Sequence, residues 1–300
     1  MAKQQIAVIG GGLMGLGIAQ TFAAAGHEVH VQEPMAGVRE SFPERLRAGF
    51  RQLGQDEAAA SLVTLHEDLR AAVASADFVT EAAPEKLTLK RTIFAQLEAY
   101  APTHAILASN TSVMPIGSIV AGLGSQHRMV GTHWWNPATL IPLVEVVQGV
   151  GTSSETVAAT MELLASVGKK PAHVQKDVAG FVANRLQHAL WREALAMVAE
   201  GICDARTLDD CVKHSFGLRL AVLGPLENAD LVGLDLTRDI HRTIIPQLSR
   251  DAGPNPILDQ MIEAGRMGFK SGEGLQVWSE AAQADVRQRL VEHLLKAREG

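Results

Sequence analysis

Three things are scarce in this 300-residue sequence: cysteine, surplus basic charge and long apolar runs. Its two cysteines, Cys203 and Cys211, have no His/Cys cluster around them, which favours small core residues in a reducing compartment over a disulfide or a metal site. The formal charge of −6 leaves no basic footprint for nucleic acid. No apolar run reaches the roughly 18–20 residues of a membrane span, and a strand pattern beginning by residue 4 argues against a signal peptide. We therefore expect a soluble cytoplasmic protein with neither nucleic-acid nor membrane partners.

Strand and helix patterns alternate regularly up to about residue 175. With 47% hydrophobic and 20% charged residues, the chain has the composition of a protein with a packed core. Alternating strands and helices predict a mostly parallel sheet with helices on its faces. The strand patterns lie at 6–10, 28–33, 61–65, 77–82, 105–109, 128–133, 142–147 and 171–175.

After residue 177 only helical patterns remain, so the chain is predicted to have an α/β domain over 1–177 and an all-α domain over 178–300. The first of these helices is apolar on two sides, which is typical of a helix buried between layers or at an interface. Asn184 lies on its second apolar stripe, where the amide needs a partner; a neighbouring backbone group would satisfy it equally well. The helical patterns lie at 177–201, 205–215, 225–249, 256–267 and 280–298.

A glycine-rich loop joins the first strand to the first helix. Gly10 permits a tight turn, Gly12 lets the backbone approach a pyrophosphate, and Gly15 lets the helix pack on the strand. Glu33 ends the second strand, where a carboxylate binds ribose hydroxyls and repels a 2′-phosphate, so NAD is favoured over NADP. The alternative is a glycine-rich turn without a ligand. The predicted cofactor loop comprises Gly10, Gly12, Leu13, Met14 and Gly15.

A single carboxylate, Glu145, interrupts the apolar strand pattern "LVEVV" at 143–147. Burying it is costly unless something pairs with it, and His133, twelve residues earlier, is the candidate partner. Polar residues 109–112 follow another strand end, where α/β sheets bind ligands, although such residues are also ordinary turn formers. Glu85 follows a third strand, and its alternative role is to complement a helix dipole.

Taken together, the motifs "VIGGGLMGLGIAQ", "SNTS", "HWWNP" with "LVEVV", "GFVANRL" and "GFKSGEG" resemble the 3-hydroxyacyl-CoA dehydrogenase family over nearly the whole chain. The resemblance implies a Rossmann-like doubly wound NAD domain, a helical substrate and dimerisation domain, a homodimer, and a place in fatty acid metabolism. It assigns His133 as catalytic base with Glu145 as its partner. It also assigns Ser112 and Asn184 to the reacting oxygen and the substrate carbonyl, Asn136 to the shape of the site, and Glu85, Lys90 and Asn110 to the nicotinamide side of the NAD site.

The implied reaction interconverts an (S)-3-hydroxyacyl-CoA, or a related 3-hydroxy acid, and its 3-oxo form by hydride transfer to NAD. Two features resemble the branch of the family that acts on free hydroxy acids, such as L-gulonate 3-dehydrogenase and L-carnitine dehydrogenase. Pro142 precedes "LVE" where acyl-CoA members have a lysine, and Arg219 in "FGLRLAVLGP" is suited to bind a carboxylate. The alternative for Arg219 is a surface arginine whose stem packs on the domain. Both substrate classes stay open, as does a lens-crystallin-like NAD-binding protein without turnover. An arginine-rich segment at 39–51 is expected to be a solvated helix face rather than a phosphate site.

Overall fold

The computed structural model describes residues 3–299, with side-chain surroundings given for residues 3–297. The chain divides into two compact units, Met1–Arg185 and Leu186–Gly300. The functional boundary predicted after residue 177 stays a prediction. Among the described residues, no helix is both long and apolar enough to cross a bilayer.

All eight predicted strands are present, and they form one sheet in the first unit in the order β3-β2-β1-β4-β5-β6-β7-β8. Six strands run parallel, β7 is antiparallel to β6, and β8 is parallel to β7. The predicted Rossmann-like fold is therefore confirmed. The strands are β1 (Gln5–Ile9), β2 (Glu28–Gln32), β3 (Val63–His66), β4 (Phe78–Glu81), β5 (Ile106–Ser109), β6 (Met129–Trp134), β7 (Leu143–Val147) and β8 (Lys170–Val174).

Helices cover both faces of this sheet. Along β1, Ile6 and Val8 belong to one apolar cluster, and Ala7 and Ile9 belong to another. Successive side chains of a strand point to opposite faces, so the two clusters are the two layers of core that hold the helices against the sheet. The helices of this region are α1 (Leu13–Ala24), α2 (Ala36–Gln52), α3 (Leu69–Val73), α4 (Leu87–Tyr100), α5 (Ile116–Ile119) and α6 (Ser154–Ser166).

The C-terminal region is helical as predicted, with two corrections to the helix bounds. The helix predicted at 177–201 begins only at Ala183, because Gly180 and Phe181 adopt positive φ angles of 74° and 50°, which no α-helix tolerates. The helix predicted at 225–249 breaks at Gly233, whose φ is 101°. The observed helices are α7 (Ala183–Ala199), α8 (Ala205–Lys213), α9 (Pro225–Val232), α10 (Leu234–Ile244), α11 (Pro256–Glu263) and α12 (Glu280–Glu299).

The second unit has almost no buried residues of its own. Between residues 186 and 297 only Ala196 and Gly274 are buried, and neither apolar cluster extends beyond Phe181. The expectation that the cysteines are core residues is wrong, because Cys203 is partly exposed and Cys211 is exposed. Cys203 lies in the turn between α7 and α8, and Cys211 lies in α8.

Candidate active site

The glycine loop has the shape that a dinucleotide requires. A side chain on Gly10 would lie 2.9 Å from the Ala82 carbonyl oxygen, and one on Gly15 would lie 1.8 Å from the Gly10 carbonyl oxygen, so both positions demand glycine. A side chain on Gly12 would instead enter open space. Gly12 therefore borders the free volume at the N-terminus of α1, where backbone N–H groups would face the pyrophosphate of a bound dinucleotide. Leu13 follows it and is 64% exposed, and Met14 packs on the first apolar cluster.

Glu33 is fixed beside this loop by two backbone donors. Its Oε2 accepts a hydrogen bond from the Gly11 N–H at 2.9 Å, and its Oε1 accepts one from the Met35 N–H at 2.9 Å. A carboxylate has about four acceptor sites, so two remain for ribose hydroxyls. The geometry fits a dinucleotide whose ribose carries no phosphate.

Lys90 is buried in a charged network at the ends of β4 and β5. Its Nζ lies 2.7 Å from Glu81 Oε1 and 3.3 Å from Glu85 Oε2, and the Ser109 hydroxyl donates to Glu81 Oε2 at 2.7 Å. Lys90 and Glu81 are fully buried, so they pair with each other rather than with solvent. Lys90 thus holds Glu85, whose side chain is one-third exposed, at the edge of the site.

Glu85 fixes the polar loop that follows β5. The Thr111 hydroxyl and the Ser112 N–H both donate to Glu85 Oε1, the latter at 3.1 Å. Burial alone would raise the pKa of Glu85, but the hydrogen bond from Thr111 and the charge of Lys90 outweigh burial and lower the pKa below its ordinary value. Glu85 therefore stays ionised, with a role beyond that of an acidic residue near a helix dipole.

His133 and Glu145 meet as predicted. The two residues are direct partners in the antiparallel register of β6 and β7, and His133 Nδ1 lies 2.8 Å from Glu145 Oε2. Both side chains are buried, at 5% and 2% exposure. The imidazole also has two aromatic neighbours, Trp135 and Phe181, with ring centroids 5.2 Å and 5.7 Å away. The second ring nitrogen, Nε2, has no partner among the residues that the structure describes.

The other oxygen of Glu145 contacts the start of α7. Oε1 accepts hydrogen bonds from the Val182 N–H at 2.9 Å and the Ala183 N–H at 3.0 Å. Burial acts to raise the pKa of Glu145, but the bond from His133 and these two N–H groups outweigh it, and the pKa is lowered. An ionised carboxylate only accepts hydrogen bonds, so the proton between the two side chains belongs to His133 Nδ1.

Asn184 and Asn110 brace the site through backbone groups. Asn184 Nδ2 donates to the Ser112 carbonyl at 2.9 Å. This bond fits the alternative interpretation of Asn184, in which a backbone group satisfies its amide. Asn110 Oδ1 accepts from the Trp134 N–H at 2.9 Å. Ser112 is exposed, and its hydroxyl has no partner within residues 3–297. The structure thus brings Ser112, Asn110 and Asn184 to the same edge of the sheet as His133.

Two predicted substrate residues are less constrained. Asn136 is exposed in the turn that follows β6. Arg219 lies in the second unit, directly after the short 3-10 turn Phe216–Leu218; it is exposed, and its guanidinium has no partner in the described part of the chain. The role of each in binding stays a prediction.

Three contributors were missing from the sequence-based site. Glu81 is the buried partner of Lys90, Phe181 packs against His133, and Asp177 accepts from the Ile116 N–H at 2.8 Å at the start of α5. Glu81 had a signal, since it ends a strand nine residues before Lys90. Phe181 had none, because its position inside a helical pattern hides the left-handed turn.

Comparisons with known proteins identify the family of the chain. The family model for the 3-hydroxyacyl-CoA dehydrogenase NAD-binding domain matches residues 5–178, and the one for the C-terminal domain matches residues 180–278. A Mesorhizobium japonicum 5-formyl-3-hydroxy-2-methylpyridine 4-carboxylate 5-dehydrogenase is 34% identical over 99% of this chain and 99% of the relative. A crystal structure of an enzyme with that activity, described as an NAD⁺-dependent dismutase, has a TM-score of 0.92 at 33% identity, covering 99% of this chain and 98% of the other.

Relatives from both substrate branches match. An L-carnitine dehydrogenase of Streptomyces coelicolor is 39% identical over 77% of this chain and 74% of the relative. A 3-hydroxyadipyl-CoA dehydrogenase of Escherichia coli is 32% identical over 94% of this chain and 61% of the relative. With an NAD-binding glycine loop, a buried His–Glu pair and both family domains, the chain is an NAD-dependent oxidoreductase and belongs to the 3-hydroxyacyl-CoA dehydrogenase family.

Proposed function

We propose that His133 is the general base that removes the hydroxyl proton of the substrate. Glu145 accepts a hydrogen bond from His133 Nδ1–H, so the lone pair of the neutral imidazole lies on Nε2, which has no partner among residues 3–297. This is the single observation that carries the proposal. Bound NAD⁺ supplies the hydride acceptor. His133 takes the proton, and Glu145 stabilises the imidazolium that results.

Ser112 and Asn184 are proposed to hold the reacting oxygen and the substrate carbonyl. The backbone of Ser112 is fixed on both sides, by Glu85 at its N–H and by Asn184 at its carbonyl, which leaves its hydroxyl free to donate. The Asn184 amide likewise has a second N–H besides the one given to the Ser112 carbonyl, and no acceptor for it lies among residues 3–297. Hydrogen-bond donors that are fixed before the reaction stabilise developing charge without reorganising.

For the substrate we propose a small hydroxy or aldehyde compound with a free carboxylate. Three of the four arginines at 39–51 already lie near carboxylates: Arg39 is 2.7 Å from Glu67, Arg51 is 2.7 Å from Glu44, and Arg47 is 3.9 Å from Glu44. The Arg219 guanidinium has no partner among residues 3–297 and is suited to bidentate binding of a carboxylate. The pyridine carboxylate and L-carnitine named for the relatives are free carboxylates, which supports this choice.

A CoA thioester is the second candidate, favoured by the match of the hydroxyadipyl-CoA relative to 94% of the chain. Initial rates of NADH formation with L-carnitine, with the pyridine aldehyde and with (S)-3-hydroxybutyryl-CoA distinguish the two. We expect turnover of a free acid, and an Arg219→Ala variant with a KM raised about tenfold or more, as expected for loss of a charged hydrogen-bonded pair. The matched control is Arg250→Ala, which removes another exposed arginine of the second unit.

Strong turnover of the thioester that Arg219→Ala leaves unchanged would contradict the free-acid proposal. Tight NAD⁺ binding without turnover of any of the three compounds would favour the crystallin-like alternative instead.

We propose a homodimer formed through the helical unit. Leu236, Ile240 and Ile244 lie four residues apart on one face of α10 and are each about half exposed, at 52%, 47% and 48%. A second copy of the chain would cover these apolar side chains, and their burial would favour association. Light scattering is expected to give twice the chain mass; Ile240→Glu should disrupt the dimer and the neighbouring control Thr243→Glu should not. A monomeric wild type would contradict the proposal.

The dehydrogenase is proposed to work in a reducing, cytoplasmic compartment. The two cysteines are unpaired, and one of them is exposed, which suits a compartment that keeps thiols reduced.

A further inference from the structure

Phe181 has an unusual backbone conformation for its residue type. Its φ of 50° makes it the one non-glycine residue with positive φ in the described part of the chain. A bulky side chain in this region is strained, and such strain persists only where surrounding contacts enforce it. Strained residues are concentrated at functional sites, so the position calls for a physical explanation.

The contacts that enforce this turn are clear. Phe181 is 1% exposed and belongs to the apolar cluster that contains Ile116 and Val147. Its N–H donates to the Val178 carbonyl at 3.1 Å, and the Gly180 N–H donates to the Val113 carbonyl at 3.2 Å. Burial of the ring and closure of the turn together hold the strained conformation in place.

The turn has two consequences for the His133–Glu145 pair. The turn prevents the helix from beginning before Ala183. The N–H groups of Val182 and Ala183 therefore have no acceptor within a helix and donate to Glu145 Oε1 instead. It also directs the phenyl ring to the imidazole of His133, with centroids 5.7 Å apart and planes inclined at 52°. One residue therefore reaches both members of the pair.

We propose that Phe181 is a positioning residue for the catalytic pair. Its ring fixes the imidazole plane and keeps water from the Nδ1–H···Oε2 bond, while its left-handed backbone aligns the two N–H groups that hold the other oxygen of Glu145. The inference rests on the proposed role of His133 and adds a residue that acts through it.

Two substitutions test the residue, one through its ring alone and one through its ring and backbone together. Phe181→Leu keeps an apolar side chain with the strained backbone but removes the aromatic ring. Phe181→Gly removes the ring and relieves the backbone strain. Phe50→Leu is the control, because Phe50 is a fully buried phenylalanine of α2 outside the site, and its loss reports the general cost of an altered core.

The first readout needs no substrate. In ¹H–¹⁵N spectra of protein labelled at histidine, the Nδ1 proton of His133, assigned by its loss in His133→Gln, should be protected from exchange with water in the wild type and in Phe50→Leu. We expect the signal to broaden or disappear in Phe181→Leu and Phe181→Gly. A signal equally protected in both Phe181 variants would overturn the proposal.

The second readout is the division of the effect between kcat and KM, with the best substrate from the panel above. Phe181→Leu should lower kcat about tenfold or more, since it disturbs the geometry of general-base catalysis, while KM and the Kd for NAD⁺ change about threefold or less. An equal loss of kcat in Phe50→Leu would show a general packing effect and overturn the proposal. If His133→Gln retained turnover, the proposal that His133 is the general base would be contradicted. The exchange measurement does not depend on turnover and would still test whether Phe181 positions the His133–Glu145 pair.

Discussion

Glu145 joins His133 to the beginning of α7 through its two oxygens: Oε2 lies 2.8 Å from His133 Nδ1, and Oε1 accepts two backbone N–H groups. The antiparallel turn of the chain between β6 and β7 makes this possible, because it places the two residues opposite each other on one face of the sheet. A carboxylate buried in an apolar strand is thus fully partnered, which is the condition under which such a charge is tolerated.

Replacing Glu145 with glutamine should give the imidazole the wrong tautomer. The single amide oxygen is needed by the N–H groups of Val182 and Ala183, so the amide NH₂ faces His133 Nδ1, which must then accept a hydrogen bond. The proton moves to Nε2, where it blocks base function, and kcat should fall by roughly 10²–10⁴-fold. The control is Glu98→Gln, since Glu98 accepts a backbone N–H from Ser125 away from the site. Wild-type turnover in Glu145→Gln would refute this role.

Removing the charge of Lys90 should destabilise the fold. Lys90→Met leaves the buried Glu81 carboxylate without its cation, at a cost of about 3–5 kcal/mol in the free energy of unfolding. Urea unfolding measures this, with the exposed Lys86→Met as control. The double variant Lys90→Met/Glu81→Gln should recover part of the loss, because the uncompensated charge is gone. Equal stability of the Lys90 and Lys86 variants would show that the network contributes nothing.

The lowered pKa of Glu85 predicts that the free energy of unfolding falls at acidic pH. Because its pKa is lowered in the folded state, its contribution is complete above the ordinary carboxyl pKa and is lost as pH falls through the lowered folded value. The difference in unfolding free energy between wild type and Glu85→Gln should therefore be constant from about pH 7 to pH 5 and shrink at lower pH. A difference that grows on acidification would contradict the assigned pKa direction.

Glu33 predicts a preference for NAD⁺ over NADP⁺. Its carboxylate repels a 2′-phosphate, and the nearby Arg39 is engaged with Glu67 at 2.7 Å rather than free to bind that phosphate. Glu33→Gln should weaken NAD⁺ binding about tenfold, because a charged acceptor is lost. The variant should also have a smaller ratio of NAD⁺ affinity to NADP⁺ affinity. Glu28→Gln, an exposed change at the start of β2, the strand that leads to Glu33, is the control in the binding titration. Equal wild-type affinities for the two cofactors would contradict this role.

The sheet and its cofactor loop could be predicted from the sequence because their signals are local. Apolar strand runs, glycines at a fixed spacing and a terminal carboxylate at Glu33 each encode their own structure. The contact between His133 and Glu145 was also predictable, since a buried charge in "LVEVV" needs a partner and the chain returns within twelve residues.

What could not be predicted depends on tertiary contacts. The start of α7 moves from 177 to Ala183 because distant groups, Val113 and Glu145, bond the backbone of the turn. Helical periodicity continues through Phe181 and hides its left-handed conformation. The exposure of the apolar side chains in the second unit could not be predicted either. An amphipathic pattern shows which face of a helix is apolar, but it does not show what covers that face.

The most direct test of the account is the His133→Gln variant, measured for both turnover and NAD⁺ affinity. The glycine loop and Glu33 lie apart from the imidazole, so we expect turnover to be lost while the Kd for NAD⁺ stays within about tenfold of wild type, a change of about 1.4 kcal/mol. Turnover retained in the variant, or a larger loss of cofactor affinity, would contradict His133 as the general base of this site.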